Sequence, residues 1–234
     1  LSCLSHISDF RLCNLLRERE IRLGKMEAFR LELFNVYESG ARILLDEYPP
    51  FGKTGEENIS GIHLVIVGIG HMGESLVVNA ARNWWDLGGR EGERLRVTLI
   101  DKEAGRVKEY LCRRYPQMEK ACELVPVEAD LPLLNLGQAD FIFDNREKSA
   151  VKMVYVCLDD DSSALSAALM IRQRIKAPEV PIVIRMDHNA GLATLLRGEK
   201  DSQGSLYNLH VFGLFDHTCT PDLISRCTYE VLAR

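Results

Sequence analysis

Ile62-His63-Leu64-Val65-Ile66-Val67-Gly68-Ile69-Gly70-His71-Met72-Gly73 is an apolar β-type run that ends in a Gly-x-Gly-x-x-Gly turn, and a helical stretch begins at Glu74. Strand, glycine turn and helix in that order form the fingerprint of a dinucleotide-binding βαβ unit. Gly68 suits the tight turn. Gly70 has no Cβ, so a pyrophosphate can approach the backbone, and Gly73 lets the helix lie close to the strand. The free N–H groups and positive end of the helix then face the phosphates. A lone glycine motif decides little, so the rest of the chain must carry the reading.

The 234 residues suit one large α/β domain or one ordinary domain with an appendage. With 46% hydrophobic residues there is material for a core, which argues against overall disorder. A net charge of −5 leaves no basic surplus to neutralise phosphates, so the expected partners include no nucleic acid. No apolar run reaches the ~18–20 residues that cross a bilayer. The chain starts at Leu1 with neither methionine nor a signal-peptide pattern, as a fragment of a longer protein would, and a membrane segment could belong to the remainder. The seven cysteines have no Cys-x-x-Cys pair, which favours free thiols in a reducing compartment. Cys157, inside an apolar run, reads as a buried, inert thiol.

Upstream of the glycine turn, residues 1–25 suggest a short amphipathic helix. Phe29, Leu31 and Leu33 alternate with charged residues as a strand would, and Val36 to Tyr48 reads helical until Pro49-Pro50. A polar linker, Lys53 to Gly61, puts a boundary near residue 60. The expected layout is a β-α appendage over 1–60 and a nucleotide-binding domain over 61–234. So small an appendage has little core of its own and should pack on the main domain or a second subunit.

Downstream, strands and helices alternate. Strand two, Arg96–Ile100, is followed at once by Asp101, where a carboxylate can accept both ribose hydroxyls and repel a 2′-phosphate. Its spacing from the glycines exceeds the usual ~20 residues by the Trp84–Glu93 stretch. Lys102 and Arg106 soften the repulsion, and an ordinary loop aspartate is the plainer alternative. Helix two covers about Ala104–Tyr115. Strand three, Glu123–Glu128, contains Pro126 and should lie at an edge. A short helix is expected over Leu131–Leu136, and Ala139–Asp144 is ambiguous between strand and turn. Strand four, Met153–Leu158, suits the centre of a parallel sheet, and Asp159-Asp160-Asp161-Ser162-Ser163 caps a helix from about Ala164. Strand five, Pro181–Met186, precedes Asp187-His188-Asn189 and a helix to about Leu196. Strand six, Leu209–Phe215, precedes Asp216-His217, and Thr220-Pro221-Asp222 opens a last helix. The fold class expected is α/β, a doubly wound parallel sheet of order 3-2-1-4-5-6. The three aspartates and the two Asp-His pairs invite metal readings, but acidic caps and polar loops explain them more simply, so no metal is assigned.

Laid out this way, Ile62–Arg234 resembles the Trk-type potassium-uptake regulator amino-terminal domain (TrkA-N). That is also the Rossmann half of the RCK domains, the regulators of potassium conductance. The features shared are Val67 to Gly73, Asp101, Glu128-Ala129-Asp130, Leu158-Asp159-Asp160-Asp161 before an alanine-rich helix with Arg172, and Ile182-Val183-Ile184-Arg185. Ala129 stands where the family commonly has glycine, and Trp84–Glu93 and Asp144–Lys152 read as insertions. The resemblance implies a cytoplasmic domain that binds NAD(H), or an adenine nucleotide such as ATP or ADP, without chemistry. It also implies a homo-oligomer, usually a dimer, that biases an attached membrane channel or transporter. Carried over by position, Gly68, Ile69, Gly70, His71, Met72 and Gly73 contact phosphates, while Asp101 with Lys102 meets the ribose. Ala129 and Asp130 lie by the adenine, Leu158 and Asp159 approach from strand four, and Arg185 reaches the phosphates or a partner.

The rival class is an NAD-dependent oxidoreductase fragment. Hydride transfer needs an acid–base residue beside the nicotinamide. No Tyr-x-x-x-Lys occurs, and His71, His188 and His217 are the histidines near the expected cleft. No catalytic residue is assigned.

Overall fold

The computed structural model describes residues 2–23, 30–51, 61–87, 93–130, 151–175, 177–191 and 208–220. The readings over 131–136, 139–144, 192–196 and 221–234, half of the expected insertion at 84–93, and most of that at 144–152 and of the linker, lie outside them.

Six parallel strands form the main sheet: β3 (His63–Val67), β4 (Leu95–Asp101), β5 (Cys122–Glu128), β6 (Val151–Val156), β7 (Ile182–Met186) and β8 (Leu209–Gly213). Their order is β5-β4-β3-β6-β7-β8. Counted from β3 this is 3-2-1-4-5-6, the doubly wound Rossmann order of dinucleotide-binding folds. β5, the strand with Pro126, pairs with β4 alone and forms the edge. Sequence order reverses between β3 and β6, where the crevice beyond their carboxyl ends is the ligand position of such sheets.

Two apolar cores explain why β3 reads as an unbroken hydrophobic run. Leu64 and Ile66 point into one core, with Leu76, Val77 and Ala80 of α3 (His71–Asp86) and Leu111 of α4 (Ala104–Arg114). Val65 and Val67 point into the other, beneath Ala164, Ala168 and Ile171 of α6 (Asp161–Arg174). All five residues of β3 are buried, as a strand covered on both faces requires. Cys157 sits among them, and burial pushes its thiol up to about 12, so it is inert at neutral pH.

The first 50 residues form β1 (Ser2–His6), α1 (Phe10–Leu23), β2 (Arg30–Phe34) and α2 (Val36–Glu47). β1 and β2 pair in parallel, Ser2 opposite Arg30 and His6 opposite Phe34, and α1 is the crossover between them. α1 is the short helix that the mixed pattern of residues 1–25 suggests, and β1 ahead of it is an element that pattern does not show. Ser2-Cys3-Leu4-Ser5-His6 lacks an apolar alternation, and its strand state is set by β2, almost 30 positions away. α2 joins the helix layer of the main domain: Val36, Ala41, Leu44 and Leu45 are buried in the same core as Leu76 and Phe212. The Tyr155 hydroxyl, from the centre of the sheet, donates to the Tyr48 carbonyl (2.8 Å) and ties down the end of α2.

Two further differences are local. A short helix, α5 (Met118–Ala121), precedes β5. The last strand stops at Gly213 rather than Phe215, and Leu214–Thr218 is a helix, α7. A Cβ at Gly213 would lie 2.6 Å from the Asn189 nitrogen and 2.7 Å from Asp216 Oδ2, so two neighbouring loops close over the strand end there. Leu214 turns into the core instead of continuing the strand. Among the described residues no helix is long and apolar enough to cross a membrane.

Candidate functional site

The three glycines of the turn divide by what the fold itself demands of them. Gly68 has φ +81° and donates to the Ile100 carbonyl (2.9 Å). A Cβ there would come within 2.7 Å of Leu158 Cδ2. A Cβ on Gly73 would collide with the Gly68 carbonyl oxygen. Gly70 is different. It is exposed, caps α3 with no side-chain hydrogen bond and has an ordinary φ of −74°. The nearest atom to a Cβ added at this position would be Asp159 Oδ2, at 3.6 Å. Among the described residues nothing requires glycine at position 70. The missing side chain leaves the N-terminus of α3 open.

The residues around the turn take separate roles. Met72 is fully buried and Ile69 nearly so, so both can meet a ligand only through their backbone. His71 is exposed and stacks on Tyr37 of α2, with centroids 5.2 Å apart. Asp101 ends β4, and its Oδ2 accepts from the Ile69 N–H (2.8 Å) while Oδ1 accepts from the Glu103 N–H (3.1 Å). The carboxylate therefore braces the glycine turn. Each oxygen keeps a lone pair, so ribose hydroxyls could still donate to it. The Ala129 N–H donates to the Asp101 carbonyl (3.0 Å), and Lys102 pairs with Asp130 at 3.0 Å on the exposed rim. Asp101, Lys102, Ala129 and Asp130 are thus brought together at one edge of the crevice. Leu158 and Asp159 face Gly68 and Gly70 from the β6 side.

Arg185 folds back onto the neighbouring loops. Its side chain is 4% exposed, with Nη1 donating to the Asp159 carbonyl (2.9 Å) and the Leu158 carbonyl (3.3 Å). Nη2 pairs with Asp187 Oδ1 at 2.6 Å. Through these bonds the guanidinium braces the loops after β6 and β7. The strand pattern located Arg185 at the right edge but carried no sign of which way its head group turns.

The aspartates after β6 separate. Asp159 lies by Gly70, Asp160 caps α6 by accepting from the Ser163 N–H (2.7 Å), and Asp161 accepts from the Asp187 N–H (3.1 Å). The two Asp-His pairs separate too: Asp187 pairs with Arg185, His188 with Asp216 (3.0 Å) and His217 with Glu47 (3.2 Å). Among the described residues no group of three His, Cys, Asp or Glu could hold a metal ion.

His188 and Asp216 form an oriented pair at the ends of β7 and β8. The hydrogen bond that His188 donates to Asp216 raises the imidazole above its ordinary 6.5 and lowers the Asp216 carboxyl below 3.8. The histidine's contribution to stability is complete below 6.5 and is lost as pH rises through its raised value. The aspartate's is complete above 3.8 and is lost as pH falls through its lowered value. The pair is therefore fully formed between 3.8 and 6.5. Imidazole resonances of His188 should titrate with a midpoint above 6.5 and return to the ordinary value in Asp216→Asn. A midpoint at or below 6.5 in the parent protein would show that the pair does not form in solution.

No protein-family model and no curated protein sequence matches the chain. The solved structures similar to it include two of dipicolinate synthase. One is the dipicolinate synthase A subunit from Bacillus halodurans, 14% identical, TM-score 0.44, with 99% of this chain and 65% of that chain covered. The other is the dipicolinate synthase A chain from Bacillus subtilis, 13% identical, TM-score 0.34, with 99% and 64% covered. The chain therefore spans a little less than two thirds of the length of either structure.

Proposed function

We propose that the chain is a nucleotide-sensing regulatory domain that binds NAD(H) or an adenine nucleotide in the crevice between β3 and β6. The observation that carries this reading is Gly70: an open helix N-terminus kept clear by a glycine that the fold does not need, with the Asp101 carboxylate on the adjoining strand. The regulatory role rests on the resemblance to the TrkA-N and RCK domains. On that reading the domain is cytoplasmic and dimeric, and it controls an attached or associated potassium channel or transporter. The ligand acts by population shift, favouring one arrangement of the loops after β3, β4 and β6 over another.

Calorimetric titration with NAD, NADH, ATP and ADP tests the binding. At least one should bind, and Gly70→Asp should weaken it by more than about a hundredfold, ~2.7 kcal/mol, by adding bulk and negative charge at the phosphate position. The fold should survive, because a side chain at position 70 meets little. If none of the four binds, or if Gly70→Asp binds as the parent does, the nucleotide assignment is wrong.

One observation favours the rival oxidoreductase reading. His188, held at Nδ1 by Asp216, makes no hydrogen bond through Nε2 with any described residue at the carboxyl end of the sheet, as an acid–base group would. Cofactor turnover with a small hydroxy- or keto-acid, abolished in His188→Ala, would establish it.

A further inference from the structure

A second face of α3 lines a cleft of about 90 Å³, walled also by the β1–α1 turn, α2 and α4. One water needs ~10–15 Å³ by the same measure, so the space suits a small organic molecule. None of the glycines at 68, 70 and 73 lines it.

Arg114, a fifth exposed, is its anchor. Its Nη1 donates to Glu74 Oε1 (3.1 Å) and to the Tyr110 hydroxyl. Its guanidinium carbon lies 5.5 Å from the ring centroids of both Tyr110 and Tyr115. The head group is thus oriented by a carboxylate, a hydroxyl and two rings. Nε and Nη2, the planar edge that pairs a carboxylate through two parallel hydrogen bonds, have no acceptor among the described residues. Burial pushes the Glu74 carboxyl up against the pull of Arg114, so the pair is a partly desolvated wall and not a solvated surface contact.

Two further carboxylates line the cleft, Asp9 and Glu38. Asp9 uses Oδ1 to cap α1 through the Leu12 N–H (2.8 Å), and Glu38 makes no salt bridge with any described residue through its carboxylate. A simple anion paired with Arg114 would face both of these carboxylates. A simple cation beside them would face Arg114 and Arg82. A molecule carrying both charges satisfies the arginines and the carboxylates together.

We propose that this cleft is a binding site for a small zwitterion, an α-amino acid, with its carboxylate on the free edge of Arg114 and its ammonium toward Asp9 and Glu38. The site lies beside the nucleotide crevice and shares His71 with it, while the three glycines of the turn stay outside it. Thermal-shift measurements and then calorimetry on the full chain would use the common L-α-amino acids, with acetate and methylammonium as single-charge probes. One or a few amino acids should raise the melting temperature and bind, and neither single-charge probe should. Arg114→Gln and Arg114→Lys should both weaken binding at least about tenfold, since lysine keeps the charge but not the planar fork. Glu38→Gln, at a half-buried position without an ion pair to any described residue, should weaken it without lowering stability. Absence of binding by every amino acid overturns the proposal. So does acetate binding as tightly as the best amino acid, or an unchanged affinity in Glu38→Gln.

Discussion

Gly73→Ala is expected to destabilise the protein by about 2–4 kcal/mol, although alanine is the better helix former by ~1 kcal/mol. The added methyl would strike the Gly68 carbonyl oxygen, and neither partner can step aside. Gly73 belongs to the first turn of α3, whose next turns are anchored by Leu76 and Val77 in the core. Gly68 is held at φ +81° by its bond to Ile100 and backed by Leu158. A collision between two backbones cannot be relieved by a rotamer change, so the helix must move off the sheet. Gly68→Ala should cost a similar amount for a different reason: ~1–2 kcal/mol for the left-handed backbone plus the contact with Leu158. Gly70→Ala is the control and should stay within ~0.5 kcal/mol, because its new methyl meets only Asp159 Oδ2 at van der Waals distance. Urea unfolding followed by circular dichroism measures all three. Equal stability of Gly73→Ala and Gly70→Ala would refute the division of the glycines into structural and ligand-facing.

Much of this architecture is legible in the chain because its signals are local. Buried parallel strands read as apolar runs, β3 and β6 most clearly, and the glycine turn and Asp101 each sit immediately after a strand. Pro126 marks an edge because it cannot donate to a second neighbour. What escapes a sequence reading depends on partners far away in the chain. β1 is a strand through its register with β2. Asp101 is legible as a candidate ribose contact from its position, but its bond to the Ile69 N–H, 32 residues earlier, is not. The α3–α4 cleft draws Asp9, Glu74 and Arg114 from three elements, and none of them belongs to a motif. Strand periodicity places Arg185 at the carboxyl end of β7 without saying whether its long side chain turns outward or folds back.

Because it folds back, Arg185→Met is expected to be the most damaging single charge removal among the candidate site residues, at about 2–4 kcal/mol. The guanidinium joins three segments: the 158–159 loop through two carbonyls, the β7 exit through Asp187, and, through the Asp187 N–H bonded to Asp161, the start of α6. Breaking a buried pair by removing one partner costs ~3–5 kcal/mol, because the groups left behind lose their donors. Asp187 is 46% exposed and can rehydrate, which reduces the loss, and methionine fills part of the vacated volume. The carbonyls of Leu158 and Asp159 have less recourse, at ~1–3 kcal/mol for each acceptor left unsatisfied. Lys102→Met, which breaks the exposed pair with Asp130, should by contrast change stability by less than ~1 kcal/mol. Denaturant unfolding separates the two variants, and amide exchange should speed up in Arg185→Met at residues 158–161 and 187 before the core strands respond. On the nucleotide reading the same variant should also weaken binding, since the loop it frees carries Asp159 over Gly70. Unchanged stability together with unchanged exchange in that loop would mean that the guanidinium does not hold it, and Arg185 would then have to be sought again among the groups that face a ligand.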